Sequence, residues 1–95
     1  MKVKDLKKIL RDCPDEMEVV LRGIERGNCD SVPLDHKGFG LYESVYNWSG
    51  NFYSVADDFG DVSIEYEKQI IRLKEGEKND SDRKAAIIFD AIDIG

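Results

Sequence analysis

A chain of 95 residues carrying 14 Lys/Arg against 20 Asp/Glu, for a net charge of −6, has room for one domain (1–95) whose core removes roughly 60–65% of the unfolded surface from water. Its 41% apolar content argues against disorder, and its acidic balance argues against direct binding of a nucleic-acid backbone, which rests on Lys/Arg neutralising phosphates. No apolar run reaches the roughly 20 residues of a membrane span, and two cysteines (Cys13, Cys29) behind a charged opening with no signal-type run point to a reducing cytoplasm.

The charge is unevenly spread. Residues 1–11 hold five Lys/Arg against Asp5, whereas the remainder holds nine against nineteen acids, so a segment near +4 precedes a body near −10. In that segment Val3, Leu6, Ile9 and Leu10 recur at helical spacing, which predicts an amphipathic helix over 3–13 that ends before Pro14. Pro14-Asp15-Glu16 makes a turn. Met17 to Arg22 alternates as a strand with Met17, Val19 and Leu21 inward, so the helix is expected to fold back and present its stripe to a sheet.

Residues 24–40 are punctuated by Gly27, Pro33, Gly38 and Gly40, and only Ser31 to Leu34 reads as a short edge strand. Leu41–Trp48 and Phe52–Val55 flank a Ser49-Gly50-Asn51 turn, a hairpin signal. Over 62–73 the pattern is double. Val62, Ile64 and Tyr66 alternate as in a strand, while Val62, Tyr66, Ile70 and Leu73 share a helical face. Ile70-Ile71 and the hairpin-like Glu75-Gly76 favour a strand. Residues 78–84 read as a charged loop. The last run, Ala85 to Ile94, is apolar in both alternation phases, as expected of a central strand covered on both faces. The fold class expected is α+β: an N-terminal helix packed on a mainly antiparallel sheet of four to six strands.

Chemistry-bearing residues are sparse. His36 with Cys29 and Asp30 or Asp35 has the residue types of a nucleophile pair, but a lone His in a Gly-rich loop is better read as exposed, and two Cys with one His lack zinc spacing. Gly38-Phe39-Gly40 lacks the strand, helix and third glycine of a dinucleotide loop and reads as loop punctuation. Asp90 and Asp93, three apart on a strand, fall on opposite faces and cannot share a proton. The expectation is a protein that is not an enzyme and that takes no cofactor and no metal.

Two features point to interaction instead. Asp57, Asp58 and Asp61 form the densest carboxylate cluster; a calcium loop would need a ligand spacing that is absent, so solvated loop acids are the plain reading. Tyr46, Trp48 and Tyr53 lie on the hairpin, where one face serves as core or else presents aromatics beside acids, as protein-binding surfaces do. These six residues are the expected protein-interaction site.

The opening Val3-Lys4-Asp5-Leu6-x-x-x-Leu10-x-x-Cys13-Pro14-Asp15-x-x-x-Glu18-Val19-Val20-Leu21 resembles a group of small phage and prophage accessory proteins that begin with a Val-x-x-Leu helix, a Pro-Asp turn and a Glu/Val-rich strand. The resemblance covers about the first quarter of the chain and carries no catalytic residue. It implies a bacterial host cytoplasm and, among the roles of small acidic proteins there, stoichiometric inhibition of host defence of the anti-CRISPR kind. The expected partner is then a protein with a basic surface, part of a host nucleic-acid-handling complex. Alternative readings are a nucleotide-sequestering module, in which Tyr46, Trp48 and Tyr53 stack a base, and a phage housekeeping or assembly protein, monomeric or homodimeric through a sheet edge.

Overall fold

The computed structural model describes residues 1–22, 34–47, 49–57 and 61–91. Along the chain these form α1 (Val3–Leu10), β1 (Glu18–Arg22), β2 (Leu34–Tyr46), β3 (Ser49–Ser54), a 3-10 turn (Val55–Asp57), α2 (Val62–Lys74) and β4 (Arg83–Ala91). The fold is α+β. Among the described residues the sheet has four strands in the order β1-β4-β2-β3. β1 runs parallel to β4, while β4–β2 and β2–β3 are antiparallel.

β4 is central because it is apolar on both faces: Ala85, Ala86, Ile87, Ile88 and Phe89 are all buried. Register assigns the faces. Ala85, Ile87 and Phe89 lie beside Leu41, Phe39, Val19 and Leu21, and Ala86 and Ile88 lie beside Gly40, Gly38 and Val20. The Phe39 ring meets Tyr66 of α2 at 6.3 Å between centroids, so α2 covers the first of these faces.

Residues 62–74 are a helix, not the strand expected. The helical phase wins because it buries Val62, Gln69 and Leu73 on one side. Glu75-Gly76 is its terminator rather than a hairpin turn. Gly76 has φ +89°, and the Gly76 and Glu77 amides donate to the Leu73 and Arg72 carbonyls at 3.1 and 3.0 Å, the glycine-terminated cap that satisfies a helix's last carbonyls.

β2 likewise begins earlier than expected. Residues 34–40 are strand, with a register shift between His36 and Gly38. Gly38 there has φ +144°, a conformation only glycine enters at little cost. Gly40 is buried, and a Cβ on it would run into the Tyr53 carbonyl and lie 2.9 Å from the Phe52 ring. The two glycines thus permit a bulge and a close approach instead of marking a loop. The expected edge strand at 31–34 contributes Leu34 to β2, and its other residues lie outside the described ones. The hairpin is present, with its turn nearer residue 47 than expected, since Ser49 and Asn51 already belong to β3.

α1 forms where expected, with Asp5 accepting the Lys2 amide at 3.1 Å and Lys7 and Lys8 in its last turn, a charge order that suits the helix dipole. It ends at Leu10, three residues short of the expected end, with Leu6, Ile9 and Leu10 half-buried and none of its residues fully enclosed. Val19 and Leu21 also depart from expectation, being 64% and 60% exposed. They lie on the α2 side of the sheet, but α2 packs against β2 and β4 and does not cover β1.

Candidate functional site: a carboxylate groove at the hairpin end

A polar groove of about 470 Å³ opens between the β2–β3 hairpin and the loop joining α2 to β4, lined by Tyr42, Ser44 and Asn47 on one side and Asp80, Ser81 and Asp82 on the other, with Glu18 and Lys84 at its floor. Tyr42 and Lys84 are register partners, one step from Leu41 and Ala85, so the groove lies on the face opposite α2.

The loop that supplies its acids was expected only as a charged connection, yet it is held at two points. Asn79 is buried, and its Nδ2 donates to the Glu16 carbonyl at 3.4 Å and the Ala85 carbonyl at 3.3 Å. Those two bonds fix the amide, and Oδ1 is left buried without a partner. Ser81 accepts from Nε2 of the buried Gln69 and donates to the Arg83 carbonyl. Asp80 and Asp82 are exposed on either side of this second anchor. Their carboxylates are therefore presented from a fixed backbone, which lowers the entropy lost on meeting a cation.

Electrostatically the groove holds three carboxylates against one ammonium. Lys84 Nζ lies 3.8 Å from Glu18 Oε1, both side chains being about two-fifths exposed (41% and 44%), so this pair contributes little to stability and leaves Asp80 and Asp82 in excess. Such a site can receive a guanidinium or ammonium group and repels phosphate. Among the described residues no group of three or more His, Cys, Asp or Glu could hold a metal ion, and no helix is long and apolar enough to cross a membrane.

The six residues expected to form the site are distributed differently. Tyr46 is 59% exposed at the hairpin end. Tyr53 is half-buried on the α2 face, with the Arg83 guanidinium 4.7 Å above its ring. Asp57 belongs to the 3-10 turn after β3, Asp61 is the exposed residue that precedes α2, and Trp48 and Asp58 lie outside the described residues. β3 spans about 17 Å from Ser49 to Ser54, which separates Tyr46 from the segment holding Asp57 and Asp61. The acids brought to the hairpin end are instead Asp80 and Asp82. Tyr42 and Ser44, two apart on β2 and so on one face of it, form one wall of this groove and were not among the expected site residues. The other wall depends on the buried Asn79, which nothing local in the sequence distinguishes from a loop residue.

A second surface lies on the α2 side. An apolar groove of about 430 Å³ is lined by the Asp12–Pro14 turn, Met17, Phe39 and the α2 residues Tyr66, Glu67, Ile70, Ile71 and Lys74. Burial, and then the neighbouring Asp12, raise the Cys13 thiol pKa. The Tyr66 phenol is pushed up to about 12, chiefly by burial and secondarily by Cys13. Both groups stay neutral at physiological pH, and neither is prepared as a nucleophile. Asp90 is held by a cation and not by a second carboxylate, accepting from both Nε and Nη2 of Arg22 at 2.9 Å; Asp93, Cys29 and the side chain of His36 lie outside the described residues.

No known protein family, curated protein or solved structure matches this chain.

Proposed function

We propose that the chain is a non-catalytic, stoichiometric protein-binding inhibitor that acts in a bacterial host cytoplasm, and that its carboxylate groove takes up basic side chains of a nucleic-acid-handling defence complex. The observation that carries this reading is the placement of Asp80 and Asp82, on a doubly anchored loop, across the groove from Tyr42, Ser44 and Asn47. Acids next to aromatics at a rigid sheet end suit Arg-rich and Lys-rich surfaces that otherwise hold phosphates. The body of the chain, near −10 outside its first eleven residues, steers such a partner at long range.

The nucleotide-sequestering alternative gains no support from the geometry. Arg83 already lies over one face of Tyr53, and the polar groove presents carboxylates where phosphates would need cations.

The test is affinity capture from a lysate of a host that carries such a defence complex, followed by inhibition of the purified complex. The parent is expected to retain the complex, to release it as salt rises, and to inhibit it at a fixed molar ratio. Asp80→Asn/Asp82→Asn/Glu18→Gln is expected to retain it at least tenfold more weakly. Equal retention by parent and triple variant overturns the assignment of the groove, and capture of the complex without inhibition overturns the inhibitory role.

A further inference from the structure

Two apolar surfaces are incompletely covered among the described residues. α1 carries the apolar stripe Val3, Leu6, Ile9 and Leu10, of which Val3 is 69% exposed and the other three only half-buried. The groove beside α2 is apolar at its floor, with Met17, Phe39, Tyr66 and Ile70, and continues outward over Ile71, which is 56% exposed. Val19 and Leu21, exposed on the α2 side of β1, extend this surface further.

α1 is held away from its own groove. The Cys13 amide donates to the Leu10 carbonyl at 3.0 Å and its thiol to the Ile9 carbonyl at 3.6 Å, while Cys13 and Pro14 themselves form the groove wall. The helix therefore leaves from the rim, and folding back onto the floor would break the turn that makes the wall. A second chain has no such restriction. Eight residues of helix are about 12 Å long, a scale that matches two to three turns of α2 along the groove.

Charge selects the occupant. The stripe is flanked by Lys4, Lys7, Lys8 and Arg11, and the segment is near +4 while the rest of the chain is near −10. The groove rim carries Asp12 and Glu67 as well as Lys74. A basic amphipathic helix against an apolar groove in an acidic body is complementary in both polarity and sign.

We infer that the chain forms a two-fold homodimer in which α1 of each copy seats its apolar stripe in the α2-side groove of the other. The exchange is reciprocal, so the assembly closes at two copies. It uses the sheet face opposite the carboxylate groove and leaves that groove free.

Sedimentation over a concentration series tests this, using Val3→Glu on the helix and Ile71→Glu on the groove. Both positions are exposed, so both variants should retain the parent's circular dichroism. The parent is expected to dimerise, and each variant alone to dimerise at least tenfold more weakly. Mixing the variants is expected to restore dimer, because the intact helix of the Ile71→Glu chain meets the intact groove of the Val3→Glu chain. A monomeric parent, a dimer indifferent to both substitutions, or a mixture no more dimeric than its components each overturns the inference. A monomeric parent that binds another protein's basic amphipathic helix overturns it too, because the occupant would not be a second copy. Capture by the carboxylate groove should be unaffected by either variant, so loss of one interface is distinguishable from loss of the other.

Discussion

The two faces of the sheet are closed by different means. On one side α2 lies across β2 and β4, and apolar side chains such as Leu41, Ile87 and Leu73 fill the space between them. On the other, the strands carry glycines where side chains would stand: aromatic rings come close to Gly40 and Gly50, and the α2–β4 loop is held by side-chain hydrogen bonds. A helix on a sheet can adjust by small shifts when a side chain changes. A backbone touching a ring or a carbonyl has nowhere to move. The helix face should therefore tolerate change in volume, and the glycine face should not.

The largest effect follows from adding one methyl group to the glycine face. In Gly40→Ala the new Cβ falls on the Tyr53 carbonyl, which is backbone, as well as 2.9 Å from the Phe52 ring. The strand pair must shift to admit it, which places the cost at the upper end of overpacking, about 3 kcal/mol. Urea denaturation of parent and variant measures this. A loss below about 1 kcal/mol would mean that β2 and β3 can part locally, and the contrast between the faces would fail.

A smaller loss is expected from Asn79→Ala. The amide bridges Glu16, just before β1, to Ala85 in β4, and truncation leaves both carbonyls without this donor. Destabilisation of about 2 kcal/mol is expected. The same substitution should loosen Asp80 and Asp82 and weaken binding to a basic partner by more than the stability change alone explains. Hydrogen exchange across residues 77–85 provides the check: faster exchange confined to this loop and the start of β4 supports the anchoring role, and unchanged exchange removes it.

This contrast also explains what the sequence reveals. β4 is legible because five consecutive buried residues leave no polar phase, and the α+β class and the hairpin follow from similarly local signals. Residues 62–74 fit both periods, and the choice rests on Gly76, which reads equally as a turn residue or as a helix terminator until its φ is known. Val19 and Leu21 sit on the expected side of β1 but stay exposed, since how far a helix extends across a sheet is set by tertiary packing and not by alternation. At the site, Tyr46 is recognisable as an exposed hairpin aromatic. Asp80 and Asp82 are not, because their position depends on Asn79 and Ser81 bonding to residues distant in sequence.

The smallest effect lies on the helix face and appears only at alkaline pH. Tyr66 lines the apolar groove, faced by Cys13, Asp12, Glu67 and Lys74, and its phenol ionises at about 12 rather than 10 because burial, and then Cys13, disfavour the phenolate. Below pH 10 the phenol is protonated in folded and unfolded chains alike, and it contributes nothing to the pH dependence. Between 10 and 12 the unfolded chain loses this proton first, so stability falls as pH rises, and the fall levels off above the folded value. A fully enclosed phenol displaced this far would change stability by about 2.7 kcal/mol. Tyr66 is half-buried beside an open groove, and solvent screening reduces the expected change to about 1 kcal/mol. Tyr66→Phe should match the parent below pH 10 and be the more stable chain near pH 12, as read from paired urea titrations. Parallel stability curves for the two chains across this range would show that the groove is wetter than its apolar floor implies, and the helix face would then lose its claim to be the drier side of the sheet.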